Sequence, residues 1–227
     1  MTLTLLVPVL GPPGAGKTTL TRHLGQTPGR TVFRLREQVP ERILAATASN
    51  GDRLGWIDDA SVATALDKYV EFLEHSAAVH TAFLDNFPGT GSQVSLLLSI
   101  LRQAAPDSVV RALEPSASPA VLALRAANRR VCQHCERDPI GDPRLPAAAH
   151  PEHTRRCGTC GVILDPRRGD SPKLLNARMQ RYQQAIAGTR SALHRAGVVV
   201  QRVSTECSPD TMAVALAPLL STRRSSS

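Results

Sequence analysis

Gly11-Pro12-Pro13-Gly14-Ala15-Gly16-Lys17-Thr18 fits the pattern GxxxxGK[ST] at every fixed position. An apolar run at residues 3–10 (LTLLVPVL) precedes it, with the composition of a buried parallel strand, and a helix is predicted from Lys17 onward. Strand, glycine-rich turn and helix in that order make an anion cradle. Glycines let backbone N–H groups wrap phosphates, and the helix N-terminus adds positive potential. Lys17 carries a mobile charge to the β/γ oxygens, and the Thr18 hydroxyl can reach Mg²⁺. A turn that binds nothing has no need of lysine and threonine at those two places.

Outward from the loop, residues 81–85 (TAFLD), 108–113 (SVVRAL) and 197–203 (GVVVQRV) read as further strands. Between them Val62, Leu66, Tyr69 and Leu73 recur at helical spacing, as do Leu175, Met179, Tyr182 and Ile186. Ser118-Pro119 and Ser208-Pro209 each place a capping hydroxyl before a proline suited to the first helical position. Alternating strands and helices predict an α/β fold of three layers around a parallel sheet. Hydrophobic residues make up 42% of the 227 and aromatics only 3%, so Ala, Val, Leu and Ile must fill the interior.

From about 131 to 166 the periodicity vanishes, and four of the five cysteines stand there as two CxxC pairs, Cys132/Cys135 and Cys157/Cys160. Four thiolates at that spacing converge on a tetrahedron, which zinc prefers, and an insertion almost without apolar residues needs a metal to fold. Thiol redox chemistry is the competing reading of the same pairs. Four cysteines complete the coordination shell, so His134, His150 and His153 are expected to be bystanders and the zinc structural. Cys207 is expected to be a partly buried, inert thiol. The expected organisation is a core of residues 1–130 and 167–221, a zinc lid at 131–166 and a disordered tail at 222–227. No apolar stretch is long enough to span a membrane, and the apolar start lacks a basic leader, so a cytoplasmic protein is expected. The net charge of +8 admits anionic partners, nucleotide or nucleic acid.

The wording GPPGAGKTT, together with Phe83-Leu84-Asp85-Asn86-Phe87-Pro88-Gly89-Thr90 and then Gln93, resembles the adenylate kinases, and the two CxxC pairs fall where many bacterial members carry a four-cysteine lid. The resemblance runs from Gly11 to about Leu193 and implies a three-layer P-loop kinase core with a small zinc-binding lid. It implies that residues 11–19, Gly11 through Thr19, with Arg125, bind ATP, and that Thr18 and Asp85 organise Mg²⁺. Thr31, Arg36, Ile57 (in Trp56-Ile57-Asp58-Asp59) and Gln93 would receive the monophosphate, within a segment of about 31–60. Arg129, Arg167 and Arg178 would line the phosphate path with Lys17, and Arg167 and Arg178 would also meet the acceptor. A monomer is implied by the same resemblance.

Four departures from that pattern bear on function. Gly89 stands where the family carries the arginine that clamps the acceptor phosphate; Asn86 replaces a glycine; Val32 and Phe33 replace a glycine and an acid; Gly169 replaces the first of two acids, of which Asp170 keeps the second. Losing one charged hydrogen-bonding partner costs about 1.5 to 3 kcal/mol. Arg34, one β-period from Arg36, is a candidate to reach the same phosphate. The leading expectation is therefore transfer of the γ-phosphoryl of Mg·ATP to a nucleoside monophosphate, AMP first. A degenerate kinase that binds ATP as a switch or partner module is the alternative. A zinc-ribbon nucleic-acid binder is a third reading, disfavoured because the insertion has no aromatic residue on which a base could stack.

Overall fold

The computed structural model describes residues 3–48, 57–136 and 145–221. Trp56 and the tail at 222–227 lie outside them. The described residues form two compact units, one comprising the chain up to Val39, Asp58–Ala117 and the chain from Tyr182, the other Pro40–Ile57 and Ser118–Arg181.

The first unit is built on five strands: β1 Leu5–Val9, β2 Arg30–Phe33, β3 Thr81–Asp85, β4 Val109–Ser116 and β7 Val199–Ser204. They lie in the order β2-β3-β1-β4-β7, and every pairing is parallel. All five residues of β1 are buried, because a central strand has helices on both faces. Leu5, Val7 and Val9 alternate onto one face, where they pack with Leu20 and Leu24 of helix α1 (Lys17–Gly25) and with Met212, Leu216 and Leu220 of α8 (Pro209–Leu220). On the other face Ala112 meets Val94 of α5 (Gly91–Ala104) and Ala192 and Leu193 of α7 (Pro172–Arg195). Three layers and a parallel sheet are thus present, as the alternating pattern predicts.

The strand at 81–85 and the helix start at Lys17 match the sequence reading to the residue. Ser118 and Ser208 both hold the N-cap position with proline behind them, and Ser208 Oγ accepts from the Thr211 N–H at 3.1 Å, whereas the Ser118 hydroxyl makes no capping hydrogen bond. Strand β2 carries no such signal: its four residues, Arg-Thr-Val-Phe, follow a glycine-containing turn and run straight into another arginine. Pairing with β3, Arg30 through Phe33 against Thr81 through Leu84, makes it a strand. Phe33 is fully buried against Tyr69 of α4 (Asp59–Glu74) at 4.8 Å and Phe87 at 5.6 Å between ring centroids.

The second unit holds α3 (Glu41–Ala48), α6 (Pro119–Asn128), the antiparallel pair β5 (Arg130–Val131) and β6 (Asp165–Pro166), a 3-10 turn at Arg168–Asp170 and the start of α7. Its inserted part has a small apolar centre of Cys132, Cys157 and Leu164, with Ala147 and Cys160 packed on it.

Candidate functional site

The register Val9↔Asp85 places the last residues of β1 and β3 side by side, so the glycine-rich loop leaves the sheet directly beside the Asp85 carboxylate. In an open parallel sheet, ligands bind outside these carboxyl ends. A Cβ on Gly11 would come within 2.5 Å of the Pro115 carbonyl oxygen, so the loop can lie this close to β4 only as glycine. Gly16 opens α1 at φ 80, and no side chain caps the helix, which suits an N-terminus meant for an anion. Lys17 Nζ donates to the carbonyls of Gly11 and Pro12 at 2.7 and 2.8 Å, held over the loop.

Thr18 Oγ1 donates to Asp85 Oδ1 at 3.3 Å, so hydroxyl and carboxylate share one corner. The other carboxylate oxygen, Oδ2, is met by Arg34 Nε at 3.4 Å, and Arg34 Nη1 lies 3.6 Å from Glu37 Oε1. Arg34 ends an extended segment at φ −128, whereas Arg36 lies inside the short helix α2 (Leu35–Gln38). The two arginines are therefore not a β-period apart, which corrects the sequence expectation: α2 begins between them and turns Arg34 onto Asp85.

Asn86 has φ 56, a left-handed conformation that asparagine tolerates better than other side-chain-bearing residues, so the substitution for glycine keeps the turn. Its N–H donates to the Val9 carbonyl at 3.0 Å. Gly89 is held at both ends: its N–H donates to Gln93 Oε1 at 2.8 Å, and its carbonyl accepts from Thr189 Oγ1 at 3.3 Å. Gln93 is 2% exposed, and that bond orients its amide. Thr31 lies half-buried in β2, and Arg36 and Ile57 are half-buried too. Val32 and Phe33 serve the core, since Phe33 joins the aromatic contacts and Val32 packs beside α1.

In the second unit three guanidinium groups converge on Asp170. Arg129 Nε lies 3.3 Å from Oδ2, and Arg167 and Arg178 lie 3.3 and 2.9 Å from Oδ1. Arg178 also donates to the Gly169 carbonyl at 2.7 Å, the backbone serving where the first of the two acids is missing. Burial and the neighbouring Arg167 push the Arg178 guanidinium down to about 10, with Asp170 resisting the fall. Three guanidinium groups gathered around one carboxylate concentrate positive charge at this point. Arg125 sits in the last turn of α6 and Arg129 is its C-cap, one residue past the helix.

The four cysteine sulfurs lie within 4.8 Å of one another, with Cys132–Cys160 at 3.4 Å and Cys135–Cys157 at 3.7 Å. Sulfurs about 2.3 Å from a tetrahedral zinc would be about 3.8 Å apart, so the donor set fits that ion. Backbone N–H groups of Cys160 and Thr159 pull the Cys157 thiol down to about 6, whereas hydrogen bonding to its neighbours, Cys160 first, pushes the Cys135 thiol up to about 12. His150 and His153 stack on each other and stand outside this group. Cys207, expected to be partly buried, is exposed, because it sits in the turn just before the Ser208 cap.

One cluster escaped the sequence reading. Glu114 of β4 is 1% exposed and accepts from Arg190 Nε at 2.9 Å and from the Tyr182 hydroxyl at 3.0 Å. A lone acid at the end of a strand gives no hint of partners 68 and 76 residues away.

A glycine-rich phosphate loop at the carboxyl edge of a three-layer parallel sheet, with threonine and aspartate beside it, is the arrangement of a P-loop nucleotide-binding fold, and the insertion carries four cysteines that could hold a metal. No protein-family model matches the sequence. It is 27% identical over 203 residues to the adenylate kinase of Mycoplasma genitalium, covering 85% of this chain and 87% of that one. To the adenylate kinase of Chlamydia pneumoniae it is 26% identical, over 79% and 80% of the two chains, and to that of Archaeoglobus fulgidus 25%, over 77% and 79%. Like the loop, the sheet and the cysteine cluster, these matches make the chain similar to adenylate kinases over most of its length.

Proposed function

We propose that the protein is a nucleoside monophosphate kinase that moves the γ-phosphoryl group of Mg·ATP to a monophosphate, with AMP the first acceptor to try. The shared corner of Thr18 and Asp85 beside the glycine-rich loop carries this reading. The loop amides and Lys17 would hold the donor phosphates. Thr18 and Asp85 would hold Mg²⁺ and its water shell, and the ion would supply charge neutralisation at the β/γ oxygens. Arg125, Arg129, Arg167 and Arg178 would neutralise the phosphate path, and Thr31, Arg36, Ile57 and Gln93 would receive the acceptor. Zinc, held by the four cysteines, would fold the lid and take no part in the chemistry.

Phosphoryl transfer needs positioning and charge neutralisation more than covalent help, which suits a site made of amides, arginines and a lysine. The relatives' name supports AMP as acceptor, and the absence of a cation at position 89 is why other monophosphates belong in the test. No helix among the described residues is long and apolar enough to cross a membrane.

The test incubates the zinc-loaded protein with Mg·ATP and each common nucleoside monophosphate, and resolves the products by chromatography. Conversion of one monophosphate to its diphosphate, lost in Lys17→Ala, supports the kinase. ATP binding without transfer to any monophosphate would instead favour an ATP-binding switch or partner module, the reading that Gly89 motivates.

A further inference from the structure

Asp85 is the carboxylate best placed to organise a metal's water shell: it ends the strand beside the loop and shares a hydrogen bond with the loop threonine. An acid in that role is ordinarily left to the metal. Here a guanidinium already lies on it, with Arg34 Nε 3.4 Å from Oδ2 and the Arg34 side chain only 19% exposed.

We propose that Arg34 is a displaceable counterion, a positioning residue that holds Asp85 and competes with Mg²⁺ for it, so that the Arg34–Asp85 pair sets how strongly ATP binding depends on the metal.

Three observations bear on this. Arg34 has a second acid within reach, Glu37 at 3.6 Å, which is 44% exposed, so the guanidinium can shift its weight there when a metal's water shell takes Asp85. Thr18 contacts the opposite oxygen, Oδ1, which keeps the carboxylate aligned whichever cation holds Oδ2. Finally, Arg34 lies between the paired strand β2 and the start of α2 at Leu35, so its backbone is fixed at both ends by hydrogen-bonded elements. A cation at this point also offsets the cost of burying the Asp85 carboxylate, which is 8% exposed.

The latch has a meaning only if the loop binds Mg·ATP, as proposed above, and a binding measurement made without any acceptor separates the two ideas. The quantity read is the ratio of ATP affinity with saturating Mg²⁺ to that in excess EDTA, obtained by isothermal titration calorimetry on the zinc-loaded protein. Arg34→Met frees Asp85, and the ratio is expected to rise about fivefold, as suits an ion pair at the upper end of the exposed range. Glu37→Gln removes the alternative partner and is expected to lower the ratio. Opposite signs in the two variants are what a purely structural role for Arg34 would not produce, and the second variant keeps the test alive if Arg34→Met fails to fold. An unchanged ratio in both variants overturns the latch while leaving the nucleotide site standing. An unchanged ratio with a raised KM for the monophosphate in Arg34→Met also overturns it, and assigns Arg34 to the acceptor phosphate. No ATP binding by the unaltered protein sinks the site reading and the latch together.

Discussion

Beneath the phosphate loop, β1 buries all five of its side chains, whereas the inserted segment gathers two buried cysteines and Leu164 into its centre and little else. The first region is held by apolar area removed from water, at about 25 cal/mol per Å². The second gathers four sulfurs within 4.8 Å of one another, a donor set that could close around an ion. Charge follows the same division: the sheet region meets Asp85 with one cation, while Asp170 gathers three. A fold of this kind can keep a rigid loop for the donor and a separately stabilised segment for the arginines, each answering to a different perturbation.

Removing the metal breaks that contrast most severely. Structural zinc contributes on the order of 10 kcal/mol in small metal-folded segments, so a strong chelator, or Cys157→Ser, is expected to release one zinc per chain and expose residues 131–166 to protease. The sheet should keep its far-ultraviolet signature. Simultaneous loss of the sheet would show that the two regions do not answer separately, and metal analysis with limited proteolysis reads the difference.

Next in size is Lys17→Ala. The lysine is held over the loop by the Gly11 and Pro12 carbonyls, and its loss is expected to lower phosphoryl transfer about a hundredfold or more. The melting temperature should move little. A large fall in stability would mean that the loop is part of the packing rather than a cradle laid upon it.

Asp170→Asn sharpens the comparison from the other side by leaving three guanidinium groups without their carboxylate. A cost of about 3 kcal/mol is expected, as for a buried pair that loses one partner. Added ATP or pyrophosphate should restore part of it in a thermal melt, because an anion can take the place of the missing charge. A melt that no anion shifts would argue against a phosphate-binding role for the cluster.

The smallest effect is on the sheet. Glu114 is pushed up by burial, but Arg190 and Tyr182 together outweigh this and hold it below its ordinary value of 4.5. A carboxylate whose folded value is depressed stabilises fully above its unfolded value and loses that contribution as pH falls through the folded one. Glu114→Gln should therefore cost about 1 to 2 kcal/mol at neutral pH, since the partly exposed Arg190 can rehydrate. The stability of the variant should then fall less steeply than that of the unaltered protein below about pH 4.5. Parallel pH profiles would deny Glu114 this role.

Much of this was legible in the chain itself, and for local reasons. The loop is a continuous octapeptide, its strand a continuous apolar run, and the cysteines lie at spacings that geometry forces together. The helix starts at Ser118 and Ser208 were readable for the same reason, since an N-cap residue and its proline are neighbours in sequence, though only Ser208 caps with its hydroxyl. Asn86 is intermediate: the chain shows that a glycine is replaced, and only the backbone at φ 56 shows why asparagine suffices.

What the tertiary structure alone decided is pairing across distance. Strand β2 exists because β3 offers it partners, Phe33 is core because Tyr69 and Phe87 close over it, and Glu114 is tolerable because Arg190 and Tyr182 arrive from α7. Arg34 is the clearest case. Sequence spacing alone paired it with Arg36, but a helix begins between the two, and the guanidinium turns to Asp85, 51 residues further along the chain. Periodicity records which faces a segment can bury; which charge a side chain meets depends on where the fold brings the other end of the pair.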